Sequence, residues 1–338
     1  MIAQQIAVIA AIILIPVGVT LIGIGTRPRP AAAPDPVPRS APDAPAGLTG
    51  LDDPTDPPRD VADPAPPLLV LETRRFAPLV AAGHESTAEE RRDCRRRIGS
   101  ELEADRAEVL RLIEVRPPEL RGMLMNASAG VIAEELAVLR AYLRGALTGL
   151  DVRLRNGPAE PDDRAITACL ISGLDRLPVH HGAVFHRAHR GTIALDAFFP
   201  GSVLIEPAFV RADRHAFPAG GIGTGPLVDY VIWSESGRHT PLLVGHADTV
   251  LFTATSRFRV LAVEQQQGQL TVFLAEESTR PGGRGRREHQ VLEHLRERAA
   301  GAGVGPIDGP TPSPVVHPGL DETGLPYALS TAEPEVLR

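Results

Sequence analysis

Histidine binds zinc and moves protons near neutral pH, and four histidines cluster in one stretch of this sequence. They are His180, His181, His186 and His189. No cysteine or acidic residue stands at ligand spacing, and three residues along a strand place His186 and His189 on opposite faces. The spacing therefore predicts no metal.

A glycine-rich stretch, GGIGTG at 220–225, has the letters of a phosphate-binding loop. Such a loop follows a strand and opens a helix, whereas this stretch precedes a predicted strand. We therefore interpret it as a connection between strands.

An acidic and a hydroxyl residue stand directly before a short apolar run in HADTVLFTATSRFRVLAVE, residues 246–264. They are Asp248 and Thr249. Because side chains alternate along a strand, the two neighbours are predicted to face opposite sides. Only a bulged or looped backbone over 247–249 would bring them together.

Apolar periodicity predicts the elements that position these residues. A period of 3.6 predicts helices over 87–114, 130–147, 164–178 and about 286–299. A period of two predicts strands over 183–188, 202–210, 229–236, 249–252, 258–264 and 270–276. Helices followed by strands indicate the α+β class. The first helix has a narrow apolar stripe among opposite charges, so it could form a stalk or pack in a pair.

Three segments resemble the ADP-ribosyltransferase-fold family, specifically actinobacterial-type members related to arginine-specific mono-ADP-ribosyltransferases. ACLISGLDRLPVHHGAVFHRA is similar to the helix, turn and first strand of that fold. GSVLIEPAFVRAD is similar to its second strand, and VDYVIWSESGR with TVLFTATSRFRVLAVE to its later strands. The resemblance covers roughly residues 130–277. It implies a split antiparallel β-sheet core and NAD as cofactor.

The resemblance also implies cofactor-binding positions on the first two strands. His186 stands at the position of the family's arginine, and Arg187 stands where glycine is usual. Phe209 fits the second strand, while Arg211 and Asp213 replace its two serines. The predicted cofactor-binding residues are therefore His186, Arg187, Phe209 and Arg211.

The catalytic glutamate of the family is replaced by Thr249, and the acidic residue two positions earlier by Ala247. Loss of nicotinamide from ribose passes through an oxocarbenium-like state that a carboxylate stabilises. The predicted catalytic positions are Asp248 and Thr249. One hypothesis is a catalytically degenerate pseudoenzyme that binds a nucleotide or protein. The alternative is an active mono-ADP-ribosyltransferase with Asp248 or Glu206 as substitute carboxylate, and a third interpretation is a structural scaffold.

Composition restricts the partners of the protein. The chain has no lysine, so its 35 basic residues are all arginine. Its 42 acidic residues exceed them and give a net charge of -7. No basic surface for a polyanion is predicted, so nucleic acid is not an expected partner. Cys94 and Cys169 lack a CxxC partner and are predicted to be free thiols in a reducing compartment.

The N-terminal part predicts attachment to a membrane. Residues 6–24 form an uncharged apolar run close to the ~20 residues that cross a bilayer. Arg27 and Arg29 follow it, which predicts a single-pass protein with its folded part in the cytoplasm. A protein partner there is expected but not identified.

The predicted domains follow from these segments. They are an anchor over 1–26, a disordered Pro/Asp-rich linker over 27–67, a helical stalk region over 84–128, an ADP-ribosyltransferase-like domain over 129–278, an amphipathic helix over 284–300 and a disordered tail over 301–338.

Overall fold

The computed structural model describes residues 72–115, 128–157, 159–191, 193, 198–217, 226–245, 248–266, 268–277, 284–301 and 317–330. The predicted span over 6–24, the linker over 27–67 and the glycine-rich stretch over 220–225 lie outside these residues. Within them, no helix has both the length and the apolar character needed to cross a bilayer. The anchor and the division into domains stay predictions.

The described residues form seven helices and ten strands. The helices are α1 Ala88–Ile98, α2 Ser100–Val115, α3 Ala129–Leu143, α4 Leu150–Asn156, α5 Pro161–Asp175, α6 Pro241–Val244 and α7 Arg284–Ala300. The strands are β1 Arg74–Phe76, β2 Gly182–His189, β3 Val203–Ile205, β4 Val210–Asp213, β5 Leu227–Ser234, β6 Arg238–His239, β7 Thr249–Phe252, β8 Arg257–Gln266, β9 Gln269–Glu276 and β10 Tyr327–Leu329. This mixture of helices and sheet confirms the predicted class.

The single helix predicted over 87–114 is wrong, because the chain turns at Gly99. There φ is 70° and ψ is -139°, a backbone conformation that favours glycine, and it separates α1 from α2. Both helices pack rather than stand apart, α1 against α5 and α2 against α3. Their apolar residues, including Leu102 and Val109, are buried in the same core as α3 and α5.

The two buried thiols lie between α1 and α5. Cys94 and Cys169 are free, with their Sγ atoms 3.2 Å apart. The neighbouring Cys94 thiol and burial raise the pKa of Cys169 far above its ordinary value, so this thiol stays protonated at neutral pH.

Helices α3 and α5 approach each other closely at Gly173. A Cβ atom there would lie 2.8 Å from the carbonyl oxygen of Glu135. We expect Gly173→Ala to destabilise the fold by roughly 1–3 kcal/mol through overpacking, although alanine has the higher helix propensity. Denaturant unfolding of the variant measures this change.

Gly130 on α3 supplies the matched control, since a Cβ atom there would meet nothing within 4 Å. Gly130→Ala is expected to leave stability unchanged or slightly higher. Equal stability of the two variants would show that α3 and α5 do not touch at Gly173.

The main sheet has the strand order β3-β8-β9-β5-β2-β4-β7-β6. Its pairs are antiparallel except for β5 and β9, which run parallel. Strands β2 and β4 are joined through one residue pair, Phe185 with Asp213, so the sheet divides there into two parts. The predicted split sheet is therefore present, and the parallel pair departs from the predicted antiparallel core.

The single strand predicted over 202–210 is also wrong. Strands β3 and β4 lie far apart in the sheet order, and the chain crosses between them at Glu206 and Pro207. Proline has no N–H to donate to a ladder, which favours the end of a strand. The backbone of Glu206 bonds instead to Thr255 and Ser256, at 2.7 and 2.9 Å.

The tail predicted to be disordered is ordered over residues 317–330. Strand β10 pairs in parallel with β1, and Leu320 and Tyr327 are buried. The apolar residues of this segment are separated by proline and glycine and follow neither a helix nor a strand period. Periodicity therefore could not predict that the segment is ordered. We call residues 317–330 the C-terminal strap.

The sheet has two differently covered faces. Val184 and Ala188 of β2 and Val250 of β7 pack on the inner face, where the two parts of the sheet share one core. On the outer face, Leu251 packs with helices α1 to α5, and Phe185 packs with α7. Among the described residues, two separate helical groups therefore cover the outer face.

Candidate functional site

A cleft of about 320 Å³ opens on the outer face beside the split in the sheet. Its wall comes from α3, α6 and the neighbouring strands β4 and β7. The lining residues are Arg140, Leu143, Arg144, Arg211, Thr240, Val244 and Thr249. Two predicted site residues, Arg211 and Thr249, thus share this cleft.

Thr249 begins β7 and its side chain faces the cleft. Its carbonyl oxygen accepts hydrogen bonds from the backbone N–H and the hydroxyl of Thr240, both at 3.0 Å. These bonds fix the start of the strand. The position is suited to a catalytic group, but a hydroxyl carries no charge to stabilise a cation.

Asp248 lies outside the cleft lining, in an ion cluster. Its carboxylate accepts hydrogen bonds from Arg214 at 2.8 Å, His239 at 2.8 Å and His215 at 3.0 Å. His239 pairs with Val250, whose side chain belongs to the inner face. Burial raises the pKa of Asp248, but the bonds from His239 and Arg214 outweigh it and lower the pKa. Asp248 therefore sits on a different side from Thr249.

Glu206, the other predicted substitute carboxylate, is fully buried away from the cleft lining. It accepts hydrogen bonds from Nε and Nη2 of Arg155, at 2.9 and 2.6 Å. It also accepts the backbone N–H groups of Ala208 at 2.9 Å and Gly319 at 2.8 Å. Burial raises the pKa of Glu206 despite these partners. Glu206 therefore connects α4, the segment before β4 and the C-terminal strap.

His186 and Arg187 project from opposite faces of β2. The His186 ring lies on the inner face, 5.7 Å from the ring of Tyr230, and its Nδ1 is 2.8 Å from the carbonyl oxygen of Arg211. Arg187 lies on the outer face with Phe185, the cross-strand partner of Asp213. The structure thus places Arg187, not His186, on the face that carries the cleft.

Arg187 is held by charge and by stacking. Its guanidinium binds the Asp229 carboxylate twice, at 2.5 and 2.9 Å, and lies 4.8 Å above the ring of Phe217. A guanidinium fixed in this way is preorganised to face a bound anion.

Phe209 packs beneath the cleft. Its ring lies 5.5 Å from that of Tyr142, whose hydroxyl donates to Asp151 at 2.8 Å. Phe209 is buried in the helical core, so it positions α3 and β4 and does not line the cleft.

Asp213 is a candidate that the sequence reasoning did not select. It pairs directly with Thr249 across β4 and β7 and is half-buried. Burial raises the pKa of its carboxyl to about 6, against the opposing effects of Arg211, His215 and a hydrogen bond with Thr249. Its place at the second serine position of the resembled strand was the available signal.

The cleft wall is positively charged. Arg140 and Arg144 share one buried carboxylate, Asp105, at 2.9 and 2.8 Å. Arg211 donates to the carbonyl oxygen of Leu143 at 3.0 Å, which uses no negative charge. Several guanidinium groups in one cleft suit a diphosphate, since each can donate two parallel hydrogen bonds.

Among the described residues, no three His, Cys, Asp or Glu side chains are grouped so that they could hold a metal ion. The expected lack of a metal stays a prediction.

The fold and site define a mixed helix-and-sheet domain with an arginine-lined cleft at the split of its sheet. No protein-family model matches the chain. Over 148 residues, the chain is 28% identical to the Mycobacterium avium (strain 104) protein Mav, which is assigned by name only as an NAD(+)–arginine ADP-ribosyltransferase. The aligned region covers 43% of this chain and 18% of Mav. This match confirms the resemblance to the ADP-ribosyltransferase-fold family.

Solved structures of lower similarity carry the same family name. The ADP-ribosyltransferase HopU1 of Pseudomonas syringae is 16% identical, with a TM-score of 0.46 over 57% of this chain and 99% of HopU1. The Vis toxin of Vibrio splendidus is 13% identical, with a TM-score of 0.37 over 58% of this chain and 88% of Vis. Because both TM-scores are low, the family resemblance rests on the sequence match.

Proposed function

We propose that this protein is an ADP-ribosyltransferase-type domain that binds NAD in the cleft between α3 and strands β4 and β7. The observation that carries the proposal is the meeting of Arg211 and Thr249 with Arg140 and Arg144 in one cleft. In that arrangement the arginines would hold the diphosphate, and the nicotinamide ribose would lie toward Thr249. Mav, by its name, uses NAD.

Two outcomes for catalysis remain within this proposal. Thr249 offers no carboxylate, which favours a degenerate domain that binds a nucleotide or a protein without turnover. The active mono-ADP-ribosyltransferase needs another carboxylate on the same face as Thr249. None of the three candidates, Asp213, Asp248 and Glu206, is among the lining residues of the cleft. Asp213 meets the requirement because it pairs directly with Thr249, a lining residue, and leaves the same face of the sheet. The carboxylates of Asp248 and Glu206 are instead bound to Arg214 and Arg155.

We further propose that the domain acts beside a membrane. The supporting observation is the uncharged run over 6–24, followed by Arg27 and Arg29, which favours a cytoplasmic domain. A protein near the membrane would then be the partner or target. The net charge of -7 supports no role in binding nucleic acid.

We expect millimolar NAD to raise the melting temperature of the full-length protein in detergent. Ligand at about one hundred times its Kd stabilises a fold by about 2.7 kcal/mol, which corresponds to a rise of several degrees. Arg211→Ala should reduce this rise because it removes a charge from the cleft. Differential scanning fluorimetry with and without NAD measures both effects.

Arg96→Ala is the matched control, since Arg96 is an exposed arginine on α1. It should keep the full response to NAD. An unchanged melting temperature of the folded wild-type protein at saturating NAD would refute the proposed function. A full response in Arg211→Ala would place the site elsewhere.

A further inference from the structure

We infer that Asp213 supplies the carboxylate that Thr249 lacks, so that the domain cleaves the bond between nicotinamide and ribose. The inference rests on the proposed function, because it requires NAD in the cleft. It assigns the chemistry to β4, one strand away from the position that the resemblance indicates.

Strand register carries the inference. Asp213 and Thr249 are directly paired in the antiparallel ladder of β4 and β7, so their side chains leave the same face of the sheet. Directly opposite Cβ atoms lie about 4.5–5.5 Å apart. A carboxylate on Asp213 therefore reaches space that an acidic side chain at position 249 would occupy.

Asp213 also differs from the buried carboxylates that hold the fold together. Glu206, Asp163 and Asp105 each bind an arginine within 3 Å. In the described part of the chain, no basic side chain lies within ion-pair distance of Asp213. A half-buried carboxylate without a tight counter-ion remains able to interact with a cation that forms beside it.

The charged groups around Asp213 come from several elements. Arg211 on β4 and His215 just after it lower its pKa, Asp248 before β7 raises it, and the Thr249 hydroxyl on β7 lowers it. The facing residue on β2, Phe185, is apolar. Burial is the largest influence, and the pKa is raised to about 6. At neutral pH the group is ionised, as electrostatic stabilisation of a cation requires.

The step balances with water as the second substrate. The bond between C1′ of the ribose and the nicotinamide nitrogen breaks, and its electron pair neutralises the charged ring. The Asp213 carboxylate stabilises the positive charge that develops on the ribose. Water then forms the new bond to C1′ and releases one proton to solvent. A protein side chain in place of water would give ADP-ribosylation.

The raised pKa predicts how Asp213 affects stability. The folded state binds more protons than the unfolded state between the ordinary pKa of 3.8 and about 6, so stability falls as pH rises through that window. Asp213→Asn removes the loss of stability that accompanies ionisation of this carboxyl. The variant should therefore melt at the same or a higher temperature than wild type at pH 7, which separates a lost function from a lost fold.

The test measures nicotinamide release from NAD by the full-length protein. We expect Asp213→Asn to slow release on the order of a hundredfold, while the NAD-induced rise in melting temperature remains. The double variant Asp213→Asn with Thr249→Glu should recover activity, because it returns a carboxylate to the same face. Asp93→Asn, a partly exposed aspartate on α1, should release nicotinamide like wild type.

The pH profile adds an independent readout. For wild type, kcat/KM should fall as pH drops through about 6, because protonated Asp213 carries no charge. NAD binding without nicotinamide release, full activity in Asp213→Asn, or loss of activity in Asp248→Asn alone would each overturn the inference and leave NAD binding standing. Failure of wild type to bind NAD would instead refute the proposed function.

Discussion

Replacing Arg155 with alanine is expected to lower the free energy of unfolding by about 3–5 kcal/mol, because it leaves a buried carboxylate without its counter-ion. Glu206 is 0% exposed, so water cannot replace the lost guanidinium. For a domain of this size the melting temperature should fall on the order of 10 °C. Denaturant unfolding followed by circular dichroism measures the change.

An exposed pair of the same geometry provides the control. Arg111 binds Glu108 through two nitrogens at 2.9 and 2.6 Å, the same distances as in the buried pair. On the surface of α2 this pair is screened by water, so Arg111→Ala should produce no measurable change. A similar decrease in the free energy of unfolding for Arg155→Ala and Arg111→Ala would show that burial of Glu206 does not determine the loss of stability.

The double variant Arg155→Met with Glu206→Leu tests whether the unpaired buried charge causes the loss of stability. Removing both charges abolishes the cost of an unpaired buried carboxylate, so stability should partly return. Full recovery is not expected, since the N–H groups of Ala208 and Gly319 would lose their acceptor. A double variant less stable than Arg155→Ala would contradict this account.

Leu320→Ala is expected to destabilise the protein by about 2–5 kcal/mol, the range for removing a leucine side chain from a packed core. Leu320 in the C-terminal strap is 1% exposed and packs in the core shared by both parts of the sheet. The cavity would weaken the attachment of the strap to the sheet. Thermal unfolding of the full-length protein measures the loss.

Leu329 is the matched control within the same strap, because it is 40% exposed. Leu329→Ala removes the same atoms from a site that water already reaches, so its effect should be well below that of Leu320→Ala. Equal and small effects in the two variants would mean that the strap does not pack on the sheet in solution.

Local patterns in the sequence determined much of the scaffold. Alternation predicted strand β7 at its observed bounds, Thr249–Phe252, and β2 to within one residue at each end. The same alternation placed Asp248 and Thr249 on different sides. These predictions succeeded because a strand's faces depend only on its own residues. The predicted helix over 87–114 failed at Gly99, where one residue's φ outweighed a continuous apolar stripe.

Tertiary structure alone decided which residues meet. The register of β4 against β7 sets Asp213 beside Thr249, and the crossing after β3 brings Glu206 to Arg155. Each contact joins segments that are distant in sequence, through a pairing that only the packed sheet specifies. Local periodicity therefore cannot predict either contact. The sequence by itself therefore determined many of the elements and the absence of the expected glutamate at position 249. The folded chain decided that a carboxylate lies next to that position.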